Sequence, residues 1–481
     1  MPGVGNIANG IVHAGQNGVP RGLIDSRGPQ WGPRLGFAYA VNNKTTFRVG
    51  GGAYYERIST ASVGYTTNFL TSPPAVQLAQ IFYGNLSSIG SSGGTLFPLQ
   101  VASLSKDGHV PTVYNFSAGI QRELPSQVLL DVSYVGMQSR HLVEFMPFNA
   151  VPFGSAWLPE NQDPALGRPV TTDGTTTLPA NLYRPYPGYA GGATTVGQSA
   201  IGTYGFGSTA NYNALQVAAN RRSGRGLQFG ATYTWSRSLG NADSSCGATS
   251  CGHLLNTRAV NYGLLSLDRS HSLAFNYIYD IPSLARTNSF LDNSLGRQIF
   301  GGWQLSGVSS FTVGAPLTLG YSLTGIGAQE RNRRITGSED FAPRLVLTCN
   351  PNLPRSERTT LAFIDTKCVA PGLKGSIGND SGVDTVRGPG LNNWDISIFK
   401  KFNYGESAER YIQLRLEMYN AFNHTNWATM NSTAQINPNT GQIANLPSAV
   451  GRDGFGALTA VRATGLPGSP RIIQLAAKVY F

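Results

Sequence analysis

Charged residues are scarce in this sequence. Asp, Glu, Lys and Arg make up 13% of its 481 residues, about half the share of an average soluble domain. Hydrophobic residues reach only 41%, so an enlarged apolar core does not replace the missing charge. Glycine (59 residues), small polar residues and aromatics fill the chain instead. This composition favours one large β architecture, with one apolar face, one polar face and many turns, over several ordinary domains.

Long apolar runs are also lacking. No stretch approaches the ~18 consecutive apolar residues that a transmembrane helix needs, which excludes that class of membrane protein. The N-terminal stretch MPGVGNIANGIVHAG has neither the basic region nor the apolar region of a signal peptide. Either the protein is not exported, or this N-terminus is not the original one.

The net charge of +11 raises the question of a nucleic-acid partner. The basic residues are scattered, however, and their densest cluster is RNRR at 331–334, which we place in a polar loop. The sequence therefore predicts solvated loop charge and no nucleic-acid binding.

The four cysteines form two close pairs, Cys246 with Cys251 and Cys349 with Cys368. Neither pair has the two-residue spacing of a zinc knuckle or a thioredoxin-like motif, and no histidine cluster accompanies them. Two disulfides within loops are therefore favoured over a metal site, which would place these loops in an oxidising compartment.

Constellations typical of catalysis are missing. The glycine-rich GTYGFG at 202–207 lacks the strand–helix unit of a phosphate-binding loop. The histidines stand alone, without a metalloprotease or Ser-His-Asp context; they are His13, His109, His141, His253, His271 and His424. We predict that the protein is not an enzyme and has no cofactor and no metal site.

Alternation of apolar and other residues with period two is the strongest pattern present, and it predicts strands with unlike faces. It marks five hairpins and a final single strand, eleven strands in total. Their residues are 35–41 with 47–55, 113–123 with 127–136, 212–221 with 227–237, 272–280 with 303–313, 393–402 with 411–420, and 473–481. A short helical turn is expected only within 283–300, so the fold class is all-β.

The predicted connections alternate strictly between short and long. Every second connection is long, and these segments are 56–112, 137–211, 238–271, 314–392 and 421–470. Short periplasmic turns and long outer loops are typical of an antiparallel outer-membrane β-barrel, and strands of about ten residues suit a tilted crossing of the bilayer. A soluble β-sandwich or propeller stays open as the alternative.

Orientation follows from counting the strands. The last loop is long, so we expect Phe481 to lie on the periplasmic side and the first strand to run inward from an outer loop. Eleven is odd, whereas single-chain bacterial barrels normally have an even number of strands. We therefore expect residues 1–33 to be the remnant of an extracellular loop, and residues 34–481 to be the C-terminal part of a barrel.

Several motifs carry a resemblance to a known family. GPRLGFAYAVNNKTTFRVGGGAYYER at 32–57 resembles a barrel hairpin of TonB-dependent outer-membrane receptors. LDRSHSLAFNYIYDIP at 267–282, GPGLNNWDISIFKKF at 388–402 and RLEMYNAFNHTNW at 415–427 resemble the Oar-like members that are abundant in Acidobacteria. The resemblance runs from about Gly32 to Phe481.

The resemblance implies a barrel of about 22 strands closed around an N-terminal plug, of which this chain would be the second half. It implies TonB-dependent transport of a bulky nutrient across the Gram-negative outer membrane. The expected partners are membrane lipid, the barrel-assembly machinery, an unknown nutrient, and the TonB complex through an N-terminal part that the chain lacks. The alternative is a non-transporting outer-membrane adhesin or scaffold that displays the long loops.

Side-chain roles follow from the same expectations. The final strand, RIIQLAAKVYF at 471–481, resembles the C-terminal signal read by the assembly machinery, carried by Ile473, Leu475, Val479 and Phe481. Polar positions in the other strands are expected to point into the barrel, with Arg415 and Glu417 in a charge ladder. These inward positions are Arg48, Gln121, Asp131, Lys400, Arg415 and Glu417.

Overall fold

The structure is a computed structural model. It describes residues 15–16, 18, 20–21, 26–56, 78–80, 95–97, 101–105, 109–186, 201–222, 226–241, 258, 261–283, 293–378, 386–404, 410–463 and 467–481. One antiparallel sheet dominates this part of the chain. Eleven long strands follow each other along it in chain order, each paired with the next.

We number these strands β1 to β11. They are β1 Arg34–Asn42, β2 Thr45–Tyr55, β3 Thr112–Leu124, β4 Val128–Pro147, β5 Ile201–Arg221, β6 Leu227–Gly240, β7 His271–Asp280, β8 Trp303–Thr312, β9 Leu391–Asn403, β10 Tyr411–Tyr419 and β11 Ile472–Tyr480. The predicted all-β class and the predicted count of eleven strands are confirmed. In this part of the chain β1 and β11 each pair on one side only, so the sheet is open.

The connections alternate as predicted. At one end of the sheet, the short-turn end, lie residues 43–44, 125–127, 222–226, 281–302 and 404–410. At the other end lie five long loops, L1 (56–111), L2 (148–200), L3 (241–270), L4 (313–390) and L5 (420–471). The predicted helical turn is present as α1, Ser294–Phe300, in the longest short-end connection.

Local chemistry explains two of the tight turns. Between β1 and β2, the Asn42 side chain accepts a hydrogen bond from the Lys44 amide at 3.0 Å, which lets asparagine close the turn by itself. Between β5 and β6, Gly226 has φ +79°, and an added Cβ would lie 3.0 Å from the Asp280 carbonyl oxygen. Only glycine meets both conditions.

The strands β4 and β5 extend further than predicted. Residues 137–147 and 201–211 were expected in a long loop, but β4 and β5 pair with each other as far as Pro147 and Gly202. The neighbouring strands stop earlier, because β3 pairs with β4 only as far as Arg140 and β6 pairs with β5 only as far as Ala210. Apolar alternation weakens in this extension, because Glu144 is buried there and accepts a hydrogen bond from Ser208 at 2.8 Å. The GTYGFG glycines leave room for the partner strand: an added Cβ at Gly205 would lie 2.8 Å from the Met146 methyl carbon.

The strand register separates the sheet into two unlike faces. Directly paired residues point to the same side, so each face can be followed across all eleven strands. The apolar face holds aliphatic and aromatic residues on every strand. Among them are Phe37, Val49, Ile120, Val132, Val217, Tyr233, Phe275, Leu305, Ile398, Leu414 and Leu475.

The opposite face is mainly polar. It holds five of the six predicted inward positions, namely Arg48, Gln121, Asp131, Arg415 and Glu417. The sixth prediction, Lys400, is wrong: Lys400 pairs with Leu414 and Trp303 and therefore belongs to the apolar face. Its neighbour Lys401 lies on the polar face, paired with Gln413.

The long loops contain further short elements. Two helices are α2, Ala328–Thr336, and α3, Pro447–Val450. Single-turn 3-10 helices occur at Ser155–Trp157, Pro159–Asn161, Pro164–Leu166, Ala180–Leu182, Thr366–Cys368 and Gly451–Asp453, and one more, Pro125–Gln127, forms a short-end turn. The short strands are Leu78–Gln80, Thr95–Phe97, Val101–Leu104, Gly263–Leu264, Pro316–Leu317, Gly320–Leu323, Val346–Leu347, Val369–Ala370, Val386–Arg387, Trp427–Met430, Thr433–Ile436 and Leu458–Val461. No helix in the described ranges combines the length and apolarity needed to cross a membrane.

The two faces give a direct test. Ala231 on β6 lies on the apolar face and pairs with Phe275, whereas Ala274, next to Phe275 on β7, lies on the polar face. Because the apolar face is predicted to contact lipid, Ala231→Arg is expected to lower the free energy of unfolding by about 2–4 kcal/mol. Ala274→Arg is the matched control and should be tolerated. Urea titration in phospholipid vesicles measures both, and equal losses would contradict the assignment of the faces.

Candidate functional site

Two surfaces are candidate ligand-binding surfaces: the polar face of the sheet and the long loops, which contact one another. On the polar face, the Arg415 guanidinium donates to the Gln413 side-chain oxygen at 2.8 Å. The guanidinium also lies over the Phe399 ring, 5.2 Å from its centroid, within the range of a cation–π interaction. Glu417 pairs with Gln474 of β11. These contacts give the face fixed polar groups close to the sheet's last edge.

The hydrophobic core cluster of the described residues lies in the loops and not in the sheet. It is built from L4 and L5 together, with Leu345, Ile436 and Phe455 almost fully buried. A parallel strand pair, Gly320–Leu323 with Thr433–Ile436, joins the two loops through their backbones. Because the two loops share one core and one small sheet, they form a single folded unit, which we call the loop unit.

A disulfide closes part of the loop unit. Cys349 and Cys368 are bonded at 1.98 Å, across a sequence separation of 19 residues. Cross-links of this kind restrict the unfolded chain, so the bridge supports the folded form of L4. The other predicted pair, Cys246 and Cys251, lies outside the described residues.

A buried ion pair attaches L2 to the loop unit. Arg184 donates to the Asp340 carboxylate at 2.5 Å, and the two side chains are only 7% and 3% exposed. Asp340 also accepts the Val151 amide at 2.8 Å, while Arg184 donates to the Asn149 carbonyl at 2.9 Å. Every charged group in this contact is therefore paired, as burial of charge requires.

A second ion pair attaches L3. Asp268, which is 1% exposed, accepts the Arg387 guanidinium at 2.5 Å and the Ser238 amide at 2.6 Å. This contact explains the LDRSHS motif: Asp268 joins the start of β7 to β6 and to L4. His271 opens β7, and its ring lies 2.8 Å from the Tyr233 hydroxyl.

Asparagines organise the NAFNHTNW motif at the end of β10. Asn420 has φ +47°, a left-handed conformation that asparagine tolerates better than most residues. Its side chain donates to the carbonyls of His424 and Ser469, each at 2.8 Å. Asn426 accepts the Asn392 amide at 2.8 Å. In these bonds His424 contributes its backbone, so the motif is a rim structure that turns the chain from β10 into L5.

The RNRR cluster is helical, and the loop prediction for it was wrong. It lies in α2, where Arg331 donates to the Tyr321 carbonyl and burial lowers the pKa of its guanidinium. Arg333 pairs with Glu339, and Arg334 pairs with Glu330. Each of these arginines therefore has a partner within L4.

Two titratable groups in L2 are strongly shifted. Burial, reinforced by the negative charge of Glu339, raises the pKa of Tyr183 to about 12. Desolvation opposes ionisation of Asp173, but hydrogen bonds from Thr171 and Thr175, with the charge of Arg334, outweigh it and lower the pKa of Asp173 to about 2. At neutral pH L2 therefore presents a neutral phenol and a charged carboxylate.

The described histidines include one stacked pair. His109 and His141 stack with ring centroids 4.1 Å apart, while His13 and His253 lie outside the described residues. Within the residues that the structure describes, no group of three His, Cys, Asp or Glu side chains is placed to hold a metal ion.

Sequence reasoning missed the residues that join the loops. Arg184 and Asp340 are 156 positions apart, and Asp268 and Arg387 are 119 positions apart. No local pattern reports such distant pairs. The one usable signal was the position of Asp268 directly before a predicted strand, where a carboxylate can accept backbone amides.

The ion pair between L2 and the loop unit gives a second test. Asp340→Asn leaves Arg184 buried without its anionic partner, which typically costs about 3–5 kcal/mol. We expect faster amide hydrogen exchange over residues 148–186, measured by mass spectrometry. Glu330→Gln is the control, because it breaks the more exposed pair with Arg334, and such pairs contribute about 1 kcal/mol or less. Unchanged exchange in L2 of the Asp340→Asn protein would contradict the role given to this pair.

Comparison with known proteins gives structural resemblances and one family match. The chain resembles the outer membrane transporter YddB from Escherichia coli, at 9% identity and a TM-score of 0.42, over 94% of this chain and 40% of that one. It resembles the siderophore receptor PirA from Acinetobacter baumannii, at 12% identity and a TM-score of 0.40, over 94% of this chain and 41% of that one. The chain thus spans about two-fifths of the length of these two proteins. No curated protein sequence matches it. Residues 2–474 match the family described as outer membrane beta barrel domain, and the chain belongs to that family.

Proposed function

We propose that this chain forms the C-terminal part of the barrel of an Oar-like TonB-dependent receptor that takes up a bulky nutrient through the outer membrane. The observation that carries the proposal is the two-faced sheet of eleven strands, apolar on one side and polar on the other. In an outer-membrane barrel the apolar side contacts lipid and the polar side lines the interior. The polar face is then the surface past which a solute moves.

The strand directions support a larger barrel. Neighbours along the sheet are antiparallel, so β1 and β11, separated by ten antiparallel steps, run in the same direction. Pairing β1 directly with β11 would create a parallel contact. An antiparallel closure needs an odd number of further strands between these edges, and a second set of eleven would give the 22 strands of large outer-membrane transporters.

The loop unit supports a receptor role. Short turns face the periplasm and long loops face outward in bacterial barrels, so we place L2, L4 and L5 on the cell surface and Phe481 on the periplasmic side. Arg184 with Asp340 and the shared core fix these loops relative to one another. A fixed surface assembly at the barrel mouth is suited to capturing a ligand before it enters.

The same loops would serve a non-transporting adhesin or scaffold, and uptake distinguishes the two functions. Deleting the gene in its own bacterium should abolish uptake of one bulky labelled probe from a panel of ferric chelates, cobalamin and oligosaccharides. Inactivating TonB should abolish uptake of the same probe. Loss of surface attachment with every uptake rate unchanged would overturn transport and favour the adhesin.

Variants of the protein, expressed in the deletion strain, test which face of the sheet lines the transport path. Gln216 on β5 lies on the polar face, and its neighbour Leu215 lies on the apolar face. Gln216→Trp places a large ring in the interior and should lower the uptake rate, whereas Leu215→Trp should leave it unchanged at equal surface expression. Equal uptake by both variants would show that this face does not line the transport path.

A further inference from the structure

The helix α1 lies in the 281–302 connection at the short-turn end and leaves two large aliphatic side chains uncovered. Leu295 is 71% exposed and Ile299 is 48% exposed. Residues four apart lie on the same side of a helix, so the two side chains form one apolar stripe. Single exposed aliphatic residues are ordinary on protein surfaces. The residues around this stripe therefore decide whether it is an ordinary exposed surface or a binding surface.

The stripe continues into the apolar face of the sheet. Trp303 begins β8 on that face, and its indole nitrogen donates to the Ile299 carbonyl at 2.8 Å. Trp303 is itself 37% exposed, and Ile281 at the other end of the connection is 38% exposed. Trp303 therefore joins the apolar stripe of α1 to the apolar face of the sheet.

Lys400 fastens the helix to this surface. Its ammonium group donates to the carbonyls of Gln298 and Gly301 at the C-terminal end of α1. The same group lies 5.3 Å from the ring centroid of Trp303 and 4.8 Å from that of Phe402. A lysine on the lipid face of a barrel is destabilising near the bilayer centre and much less so near the interfaces. Here the carbonyls at the end of the helix accept from its ammonium group, and cations are favoured at helix C-termini.

We propose that α1 is an interfacial helix, lying at the headgroup level of the membrane leaflet on the short-turn side, with Leu295 and Ile299 in phospholipid acyl chains. Two features favour lipid as the occupant. Trp303 joins the stripe to the apolar face of the sheet, and a tryptophan at this boundary is typical of the aromatic girdles of membrane barrels. The connection is then a membrane anchor. This inference requires only family membership and is independent of any transported solute.

Spin labels test the position of the helix. The full chain first receives Cys246→Ser and Cys251→Ser, so that these cysteines cannot react with the label. A single cysteine then replaces Leu295, Ile299 or Leu373 and carries the spin label. Each labelled protein is reconstituted in phosphatidylethanolamine–phosphatidylglycerol nanodiscs. Leu373 is the matched control, a leucine that is 72% exposed in L4. Labels at 295 and 299 should collide several-fold more often with oxygen, which partitions into lipid, than with a water-soluble nickel chelate. The label at 373 should show the opposite preference.

Two outcomes would overturn the proposal. A label at 295 that is as accessible to nickel as the label at 373 would place the helix in water. A label at 295 that is immobile and shielded from both reagents would mean that protein covers the stripe.

A second variant tests whether Lys400 holds α1 against the sheet. Lys400→Met keeps the apolar stem and removes the ammonium group, so the label at 295 should gain mobility and nickel accessibility. Lys401→Met, on the polar face, is the control and should leave the label unchanged. An unchanged label in Lys400→Met would contradict the anchoring role, and the wild-type comparison decides the helix position even where this variant fails to fold.

Discussion

The pairing of backbone amides and carbonyls across the sheet is the constraint on which the rest of the structure depends. Within a hydrocarbon layer an unpaired backbone polar group costs several kcal/mol, so only helices and sheets without free edges can cross it. The nine internal strands, β2 to β10, pair with a neighbour on both sides, and among the described residues the edge strands β1 and β11 pair on one side only. Side-chain alternation follows, because each strand separates lipid from a polar interior.

Because of this constraint, the compact hydrophobic core does not lie against the sheet. A wall one strand thick has lipid on one side and has no second layer to pack against, so its aliphatic residues stay exposed in the protein alone. The buried cluster around Leu345, Ile436 and Phe455 instead lies in L4 and L5. The molecule thus combines a sheet whose apolar face is stabilised by contact with lipid and a loop unit that is stabilised by its own buried core, as a small soluble domain is. Arg184 with Asp340 and Asp268 with Arg387 connect the loops to each other and to the sheet.

The wall could be predicted from the sequence because period two is a local pattern. The alternation within each strand shows which side of that strand is apolar. The number of strands and the alternation of short and long loops can then be read from the sequence without long-range information. Lys400 was misassigned because a charged residue in a strand normally points to the interior; its partners, the carbonyls of Gln298 and Gly301, lie about a hundred residues away. The loop ion pairs depend on similarly distant contacts, which residue spacing does not encode. In the RNRR segment, by contrast, the pair of Glu330 with Arg334 has the i,i+4 spacing of a helix, so the helix had a local signal.

The central claim is that one face of the sheet contacts lipid along all eleven strands. Footprinting of the full chain in membranes, with a lipid-soluble carbene reagent and with hydroxyl radicals from water, tests it residue by residue. We expect carbene labelling at Val49, Ile120, Val217, Leu414 and Leu475, and hydroxyl labelling confined to the loops and the polar face. Hydroxyl labelling of the apolar positions to the same extent as the loops would contradict it.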